Sequence, residues 1–399
     1  MGLLANIPLR ILAALSNEKW DKGECEILYQ LREKTLTGIS DEGYCLESKV
    51  GDLLSRIDES KVIAITRNLV MIPSYTCEEA EKAEYIAKEM ERIGLEVTEI
   101  KVYRPGAKKQ APDVVGILKG EQPGKTLCLN THMDTCTPVA GQWEIAHLGK
   151  IEDDKLFGVG TADAISCLGA MFGAMDAMKK SKLPMNGDLM FCVTVDEHGP
   201  GYGAMAFKES GMKADMCIIG EPSNFNIGVV HCGWLEAEIR VKGYAGHVMQ
   251  THIREPKPGV KQTVNAVESM WKIIGKLHDM EREDPYFNQT HPMLGGKGGA
   301  FWIGPIIGGC KGGRYDAIKP IEEEGTALTV PEYCNLRVGV RNWPGQTTDG
   351  FVNALRKAVA RAKAEDPNID AEVVLYWNKN HTAEVDPNAE VVQVLKRAG

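Results

Sequence analysis

The sequence predicts an α/β protein in which a first domain built on a mostly parallel sheet carries a compact α+β module inserted into it. Three observations point there. Short apolar runs alternate with helical segments through the first half of the chain, alternating strands and two amphipathic helices fill the second half, and the final residues return to a helical pattern suited to the first domain. The first domain is expected over residues 61–231 and 379–399, and the inserted module over 232–378. Ahead of both, residues 1–60 predict an N-terminal helical extension, with Leu12, Leu15, Ile27, Leu28 and Leu31, then Val50, Leu53, Leu54 and Ile57, at helical spacings.

The elements follow in order. A helix over 61–71 stops ahead of Pro73, and a second helix through EEAEKAEYIAKEMERIG is closed by Gly94. The runs LEVTEIKV, DVVGILKG, TLCLNTH, DLMFCVTVD and ADMCIIGEP read as strands, interrupted by helical segments such as ISCLGAMFGAMDAMKK. Near-continuous apolar strands separated by helices are what a parallel sheet covered on both faces requires. Beyond Glu221 the character changes. WLEAEIRVKGY and EYCNLRVGVR alternate apolar and polar residues, TVNAVESMWKIIGKLHDM and TTDGFVNALRKAVARAKAED are amphipathic helices, and AEVVLYW is a last strand, which together make strands covered on one side by helices.

Composition narrows the function classes. With 43% hydrophobic and 25% charged residues over 399 positions the chain has enough apolar material for two globular domains. Lys and Arg total 46 against 55 Asp and Glu, and no basic face gathers, so nucleic acid is excluded as a partner. No apolar stretch reaches the roughly 18 residues that cross a bilayer, and the start MGLLANIPLRILAALSNEKW lacks a cleavage site of small residues. A soluble, cytoplasmic protein with no membrane partner is expected. Eleven cysteines is an odd number, and Cys128, Cys192 and Cys217 sit in apolar strand-like runs, which suits a reducing compartment better than a disulfide framework.

The chemistry-bearing residues are placed by the same pattern. TLCLN runs into His132 and Asp134, FCVTV into Asp196, Glu197 and His198, CIIG into Glu221, and Asp163 follows FGVGTA at the lip of the next helix. Ligands of open α/β sheets bind beyond the carboxyl ends of the strands, so these side chains converge if the strands are neighbours. Imidazole and carboxylate together suit a divalent cation: zinc, manganese, cobalt or iron. Asp134, two residues beyond His132 on the same side of an extended chain, can accept the other ring N–H. Glu197 is placed to take a proton from water. Taken singly the pieces are weak: a lone His-x-Asp is common, Asp163 after a Gly-rich turn also suits a helix N-cap, and Glu221 before Pro222 also suits a loop. His231, Cys232 and Trp234 on the strand between the domains read as structural. Cys136, near His132, offers a soft ligand or nucleophile, but no histidine-activated pair is apparent in the sequence, and GPGYG does not open a helix as a dinucleotide fingerprint does.

The motifs THMDT, GVGTADAISCLGAM, VTVDEHGPGYGA, IIGEPS, VKGYAGHVM and RNWPGQT, in this order, resemble the metallopeptidase and deacylase family that includes acetylornithine deacetylase, succinyl-diaminopimelate desuccinylase, aminoacylase and carboxypeptidase G. The resemblance covers roughly residues 60–399. It implies a catalytic domain with an inserted lid domain used for dimerisation, hence a homodimer, and hydrolysis of an amide-like C–N bond in a small carboxylate-bearing substrate. By matching position it assigns His132, Asp163 and Glu221 to a metal, Glu197 to the general base, Asp134 to orienting His132, His247 to a reacting oxyanion, and Arg341 to a substrate carboxylate. Arg314 and Tyr315 are further candidates for gripping a carboxylate and stacking on a ring. The implied cofactor is one or two divalent ions, zinc or manganese with cobalt as a further fit. The chain departs from the family pattern where His198 replaces a second acidic ligand, where Ala164 and Ile165 follow Asp163, and where Leu328, Thr329 and Val330 precede Pro331. A further metal-binding His that the family carries near its end has no comfortable match, His381 lying too early. These departures leave two alternatives beside an N-acyl amino acid or peptide hydrolase. One is an aminohydrolase acting on an aromatic amine acid, as 5-nitroanthranilic acid aminohydrolase does, and the other is a non-catalytic binding or scaffold protein.

Overall fold

A computed structural model describes residues 51–398 except positions 52, 106, 108, 225, 253–258, 260, 295–298, 311–327 and 380. Arg314, Tyr315 and nearly all of the expected N-terminal extension therefore lie outside the described residues. The chain divides into two compact units, one ending at Ile227 and resuming at Asn388, the other spanning Gly228–Pro387.

In the first unit, α1 (Glu59–Met71) starts at Asp58, whose side chain accepts from the backbone N–H of Lys61, and α2 (Ala80–Arg92) ends into Gly94 at φ +82, a conformation that glycine adopts without a Cβ penalty. The strands β1 (Glu96–Ile100), β2 (Asp113–Leu118), β3 (Leu127–His132), β6 (Leu189–Thr194) and β7 (Met216–Ile219) form one sheet in the order β1-β2-β6-β3-β7. A small hairpin, β4 (Lys150–Glu152) with β5 (Lys155–Phe157), stands apart from it. The pairs β6·β3 and β3·β7 are parallel, while β2 is antiparallel to both β1 and β6. Four strands therefore run one way and β2 alone runs against them. Helix α3 (Ser166–Ser181) buries Leu168, Phe172 and Met175 in a core shared with Ile86 and Met90 of α2 and with Phe191 and Val193 of β6. Each such side chain contributes about 1.5–3 kcal/mol on burial. Helices α4 (Tyr202–Glu209) and, at the chain's end, α7 (Glu390–Ala398) complete the unit.

The second unit opens and closes on a pair of short strands, β8 (Val230–His231) against β13 (Ala383–Glu384), so the two ends of the inserted chain meet. Between them β9 (Gly233–Lys242), β10 (Phe301–Gly309), β11 (Tyr333–Asn342) and β12 (Asp370–Lys379) form an antiparallel sheet in the order β10-β11-β9-β12. The alternation predicted for β9 and β11 is realised residue by residue. Leu235, Ala237, Ile239 and Val241, with Leu336, Val338 and Val340, face a core built from α5 (Ala266–Glu283) and α6 (Thr348–Glu365). Both helices start on side-chain caps, Asn265 for α5 and Thr347 for α6.

Candidate metal centre

The parallel strands β6, β3 and β7 are neighbours, so their carboxyl ends open on one side, where the chain places its acids and imidazoles. His132 is the last residue of β3 and is almost fully buried. Its Nε2 lies 3.0 Å from Asp163 Oδ1 and 3.6 Å from Glu221 Oε1. Asp163 does not cap α3. It sits in the segment Thr161–Ile165 ahead of the helix, with φ −127 and ψ 96, and its peptide bond to Ala164 is cis.

The other face of the imidazole is fixed by backbone. His132 Nδ1 is 3.0 Å from the carbonyl oxygen of Asp134, which can only accept, so Nδ1 carries the proton and donates. The carboxylate of Asp134 lies farther off, at 3.4 Å, because it is engaged elsewhere. Its Oδ1 accepts from the backbone N–H of Glu197 at 2.9 Å, and its Oδ2 accepts from that of His198 at 3.0 Å and from the hydroxyl of Thr76 at 3.0 Å. One buried carboxylate thus ties the turn carrying Glu197 and His198 to the end of β3.

The titration behaviour follows from this crowding. Burial disfavours a charge on His132, but hydrogen bonding with Asp134 and Asp163 and the nearby negative charges outweigh it and raise the imidazole to about 10. Burial pushes Glu221 up to about 7 against the pull of His132. Asp163 is held below the usual carboxylate range by its hydrogen bond to His132, and Asp134 is held below it, despite burial, by His132 and by the N–H of Glu197.

The donor atoms of His132, Asp163 and Glu221 all lie within 4.8 Å of one another. Tetrahedral ligands about 2.1 Å from a divalent ion stand about 3.4 Å apart. The 3.0 and 3.6 Å separations bracket that value, and one imidazole with two carboxylates is a borderline-hard set, so the residues fit such an ion. The donor atoms of a second group, His132, Glu197 and His198, also lie within 4.8 Å of one another. The ring of His198 stands edge-on to that of His132 with centroids 5.0 Å apart, and its Nδ1 lies 3.7 Å from Glu197 Oε2 and 3.5 Å from Cys136 Sγ.

Asp196, two residues beyond the end of β6, points elsewhere. Its backbone has φ +67, its Oδ2 accepts from the N–H groups of Gly201 and Tyr202, and its Oδ1 lies 3.0 Å from Arg104 Nε. Arg104 is buried and also donates from both terminal nitrogens to Glu79, at 2.8 Å each. Beside them Lys82 is fully buried, its Nζ lacks a hydrogen-bond partner among the described residues, and burial pushes it down to about 7 against the pull of Asp134 and Glu79. Arg104, Glu79 and Lys82 have no place among the residues singled out from sequence. Lys82 stands on the apolar stripe of α2 with Ala83, Ile86 and Met90, with Glu79 at the residue before the helix, and that charge on a buried face was the available signal.

His247 and Arg341 belong to the second unit. His247 Nδ1 accepts from the backbone N–H of Met249 at 3.2 Å, which leaves Nε2 as its donor. Arg341 ends β11 with its guanidinium 4.6 Å over the ring of Trp234.

The profile of peptidase family M20/M25/M40 matches residues 128–398. Among curated proteins the chain is 28% identical over 229 residues to a succinyl-diaminopimelate desuccinylase of Xanthobacter autotrophicus, covering 54% of this chain and 56% of that protein. It is 28% identical over 297 residues to an acetylornithine deacetylase of Vibrio campbellii, covering 74% and 70%. The chain thus spans little more than half the length of the desuccinylase. In three dimensions it is similar to a tripeptidase from Staphylococcus aureus (TM-score 0.65, 18% identity, 86% of this chain and 81% of that one) and to an M20 family metallo-carboxypeptidase from Sulfolobus solfataricus (0.61, 17%, 84% and 81%). These two likenesses show the fold. With a profile match over more than half its length and the two-unit architecture in place, the chain belongs to peptidase family M20/M25/M40.

Proposed function

We propose that this protein is a metal-dependent hydrolase that cleaves the amide C–N bond of an N-acyl amino acid or small peptide. The observation that carries the reading is the convergence of His132, Asp163 and Glu221 at the carboxyl ends of parallel strands, with Glu197 held beside them. A divalent ion bound there, zinc or manganese with cobalt as a further fit, would supply Lewis acidity for activating water near neutral pH. His132, Asp163 and Glu221 would hold that ion, with His198 as a further ligand candidate. Glu197 accepts the proton of the attacking water and returns it to the leaving amine, and the N–H bond from its own backbone to Asp134 keeps the base in position. Asp134 keeps His132 oriented through the Nδ1–H bond to its carbonyl. His247, whose Nε2 is left as a donor, is assigned to the developing oxyanion, and Arg341 to the substrate carboxylate. The second unit is assigned the roles of lid and dimerisation domain, and the protein is placed in the cytoplasm as a homodimer.

His198 favours a second reading, because an imidazole where the family carries an acid alters the second group of donors. In that reading the activated water displaces the amino group of an aromatic amine acid and releases ammonia.

The test of the common chemistry is Glu197→Gln. Amine or ammonia release from a panel of N-acyl amino acids and aminobenzoates in the presence of manganese or zinc should disappear, with bound metal unchanged by elemental analysis. Turnover at the wild-type rate would rule out Glu197 as the base.

A further inference from the structure

The cysteines among the described residues are free, yet two of them are set against each other. In the parallel pairing of β3 with β7, Cys128 stands directly opposite Cys217. Opposite residues of paired strands point to the same face of a sheet, and on that face Cys128 packs with Met190 and Cys192. Neighbouring strands run about 4.8 Å apart. That spacing falls inside the window of roughly 4.4–6.8 Å between Cα atoms that a disulfide spans. Cys192, the other thiol of this small core, is placed differently. The register of β3 with β6 sets Met190 opposite Cys128 and Cys192 opposite Asn130, so Cys192 lies one diagonal step away.

The two opposed thiols differ in access and in acidity. Cys128 is buried, whereas Cys217 lies on β7, at the edge of the sheet, and is exposed. Hydrogen bonding between the two sulfurs holds Cys217 below the ordinary thiol value, and the same bond, together with burial, raises Cys128. An exposed sulfur with thiolate character is where a disulfide reagent reacts first, and a thiol beside it is placed to displace the adduct. Cys128 precedes His132 by four residues and Cys217 precedes Glu221 by four. The pair therefore stands just behind two of the candidate metal ligands, on the strands that lead to them.

We infer that Cys128 and Cys217 form a dithiol that a low-molecular-weight disulfide, such as oxidised glutathione, converts reversibly into a covalent brace between β3 and β7. The Cys217 thiolate attacks the small disulfide, forms a mixed disulfide and expels one glutathione thiolate, which takes up the proton that Cys217 had released. The Cys128 sulfur then attacks the Cys217 sulfur, and its own proton leaves with the second glutathione. The two cysteines lose two electrons in all, and one glutathione disulfide becomes two glutathione thiols. The brace needs neither a bound ion nor turnover, so it stands or falls apart from the hydrolase reading.

Exposure of the whole chain to oxidised glutathione, followed by blocking of free thiols and peptide mass mapping, tests the inference. Cys128 should be found linked to Cys217, and dithiothreitol should return both as free thiols. The link should be absent from Cys217→Ser, an exposed site, and should persist in Cys192→Ala. Should Cys192→Ala prove poorly folded, the wild-type map by itself identifies which cysteine Cys128 has joined. The bond closes a long loop of the first unit, so the oxidised wild type should melt several degrees above the reduced form in that unit's transition. Cys217→Ser given the same treatment should show no rise. A glutathione adduct that stays on Cys217 while Cys128 remains free overturns the inference. So do a bond from Cys128 to Cys192, a cross-link between the Cys217 residues of two chains, and thiols that stay free throughout. A bond that leaves the melting midpoint unchanged, or lowers it, overturns the brace.

Discussion

At the scale of single residues, the candidate centre depends on charges buried one layer behind it. Arg104 bridges two carboxylates, Glu79 and Asp196, that are themselves inaccessible to water. Removing one member of such a set leaves the others charged and unpaired in a poor solvent, which costs about 3–5 kcal/mol. Arg104→Met is therefore expected to lose that much unfolding free energy by denaturant titration. It should also lower turnover, because Asp196 loses a restraint on the turn that presents Glu197 and His198. Lys82 is the opposite case, a buried amine without a hydrogen-bonding partner among the described residues. Its folded-state value of about 7 lies below the unfolded value of about 10.4. Between those limits the unfolded chain holds a proton that the folded chain does not, so wild-type stability rises with pH across this window. Lys82→Met has no proton to exchange. It should be the more stable protein near pH 7, with an advantage that shrinks on the order of 1 kcal/mol per pH unit toward pH 10. An advantage equal at pH 7 and pH 9 would mean that the ammonium stays charged in the fold.

Elements deliver those residues, and here glycine decides one helix contact. Gly169 of α3 faces Thr66 of α1, and a Cβ at that position would stand 1.9 Å from the Thr66 hydroxyl, which already donates to the carbonyl of Val62 at 2.7 Å. Alanine is worth about 1 kcal/mol more than glycine in a helix, but overpacking costs about 1–3 kcal/mol, and a separation this short lies at the costly end. Gly169→Ala should destabilise by about 1–2 kcal/mol, and adding Thr66→Ala should restore part of the loss, so that the double-mutant cycle shows coupling. Legibility in the sequence also divides at this scale. The order of strands ending in His132, Glu197 and Glu221 could be read because each apolar run stops on a potential ligand, and the alternation of β9 and β11 fixed which of their side chains meet the helices. The reversed direction of β2 could not be read, since a strand buried on nearly every residue has the same pattern both ways along the chain. Nor could the link from Asp134 to the N–H groups of Glu197 and His198, because spacing along an extended strand describes side chains and says nothing of a backbone donor more than sixty residues away. Arg104 was hidden for a similar reason, lying in the irregular chain between β1 and β2, where no periodicity marks a buried position.

At the scale of the molecule, each unit has a core of its own, one around Leu69, Phe172 and Phe191 and the other around Leu235, Leu277 and Phe351. Among the described residues no helix is long and apolar enough to cross a membrane. The donors of both candidate metal groups belong to the first unit. An ion that binds only the folded form stabilises it by about 2.7 kcal/mol at a hundredfold excess over its dissociation constant. That stabilisation should fall on the first unit alone. Calorimetric melting with added manganese or zinc is expected to raise the transition of the first unit by several degrees and to leave that of the Gly228–Pro387 unit in place, and Glu221→Gln should reduce the shift. The effect has a sign in pH as well. Glu221 at about 7 and His132 at about 10 must both give up protons before they can bind an ion, so protons compete with metal and binding weakens as the pH falls. The same metal concentration should therefore move the first transition further at pH 8 than at pH 6. A shift shared equally by both units, or one that grows as the pH is lowered, would show that the ion binds somewhere other than the carboxyl ends of β3, β6 and β7.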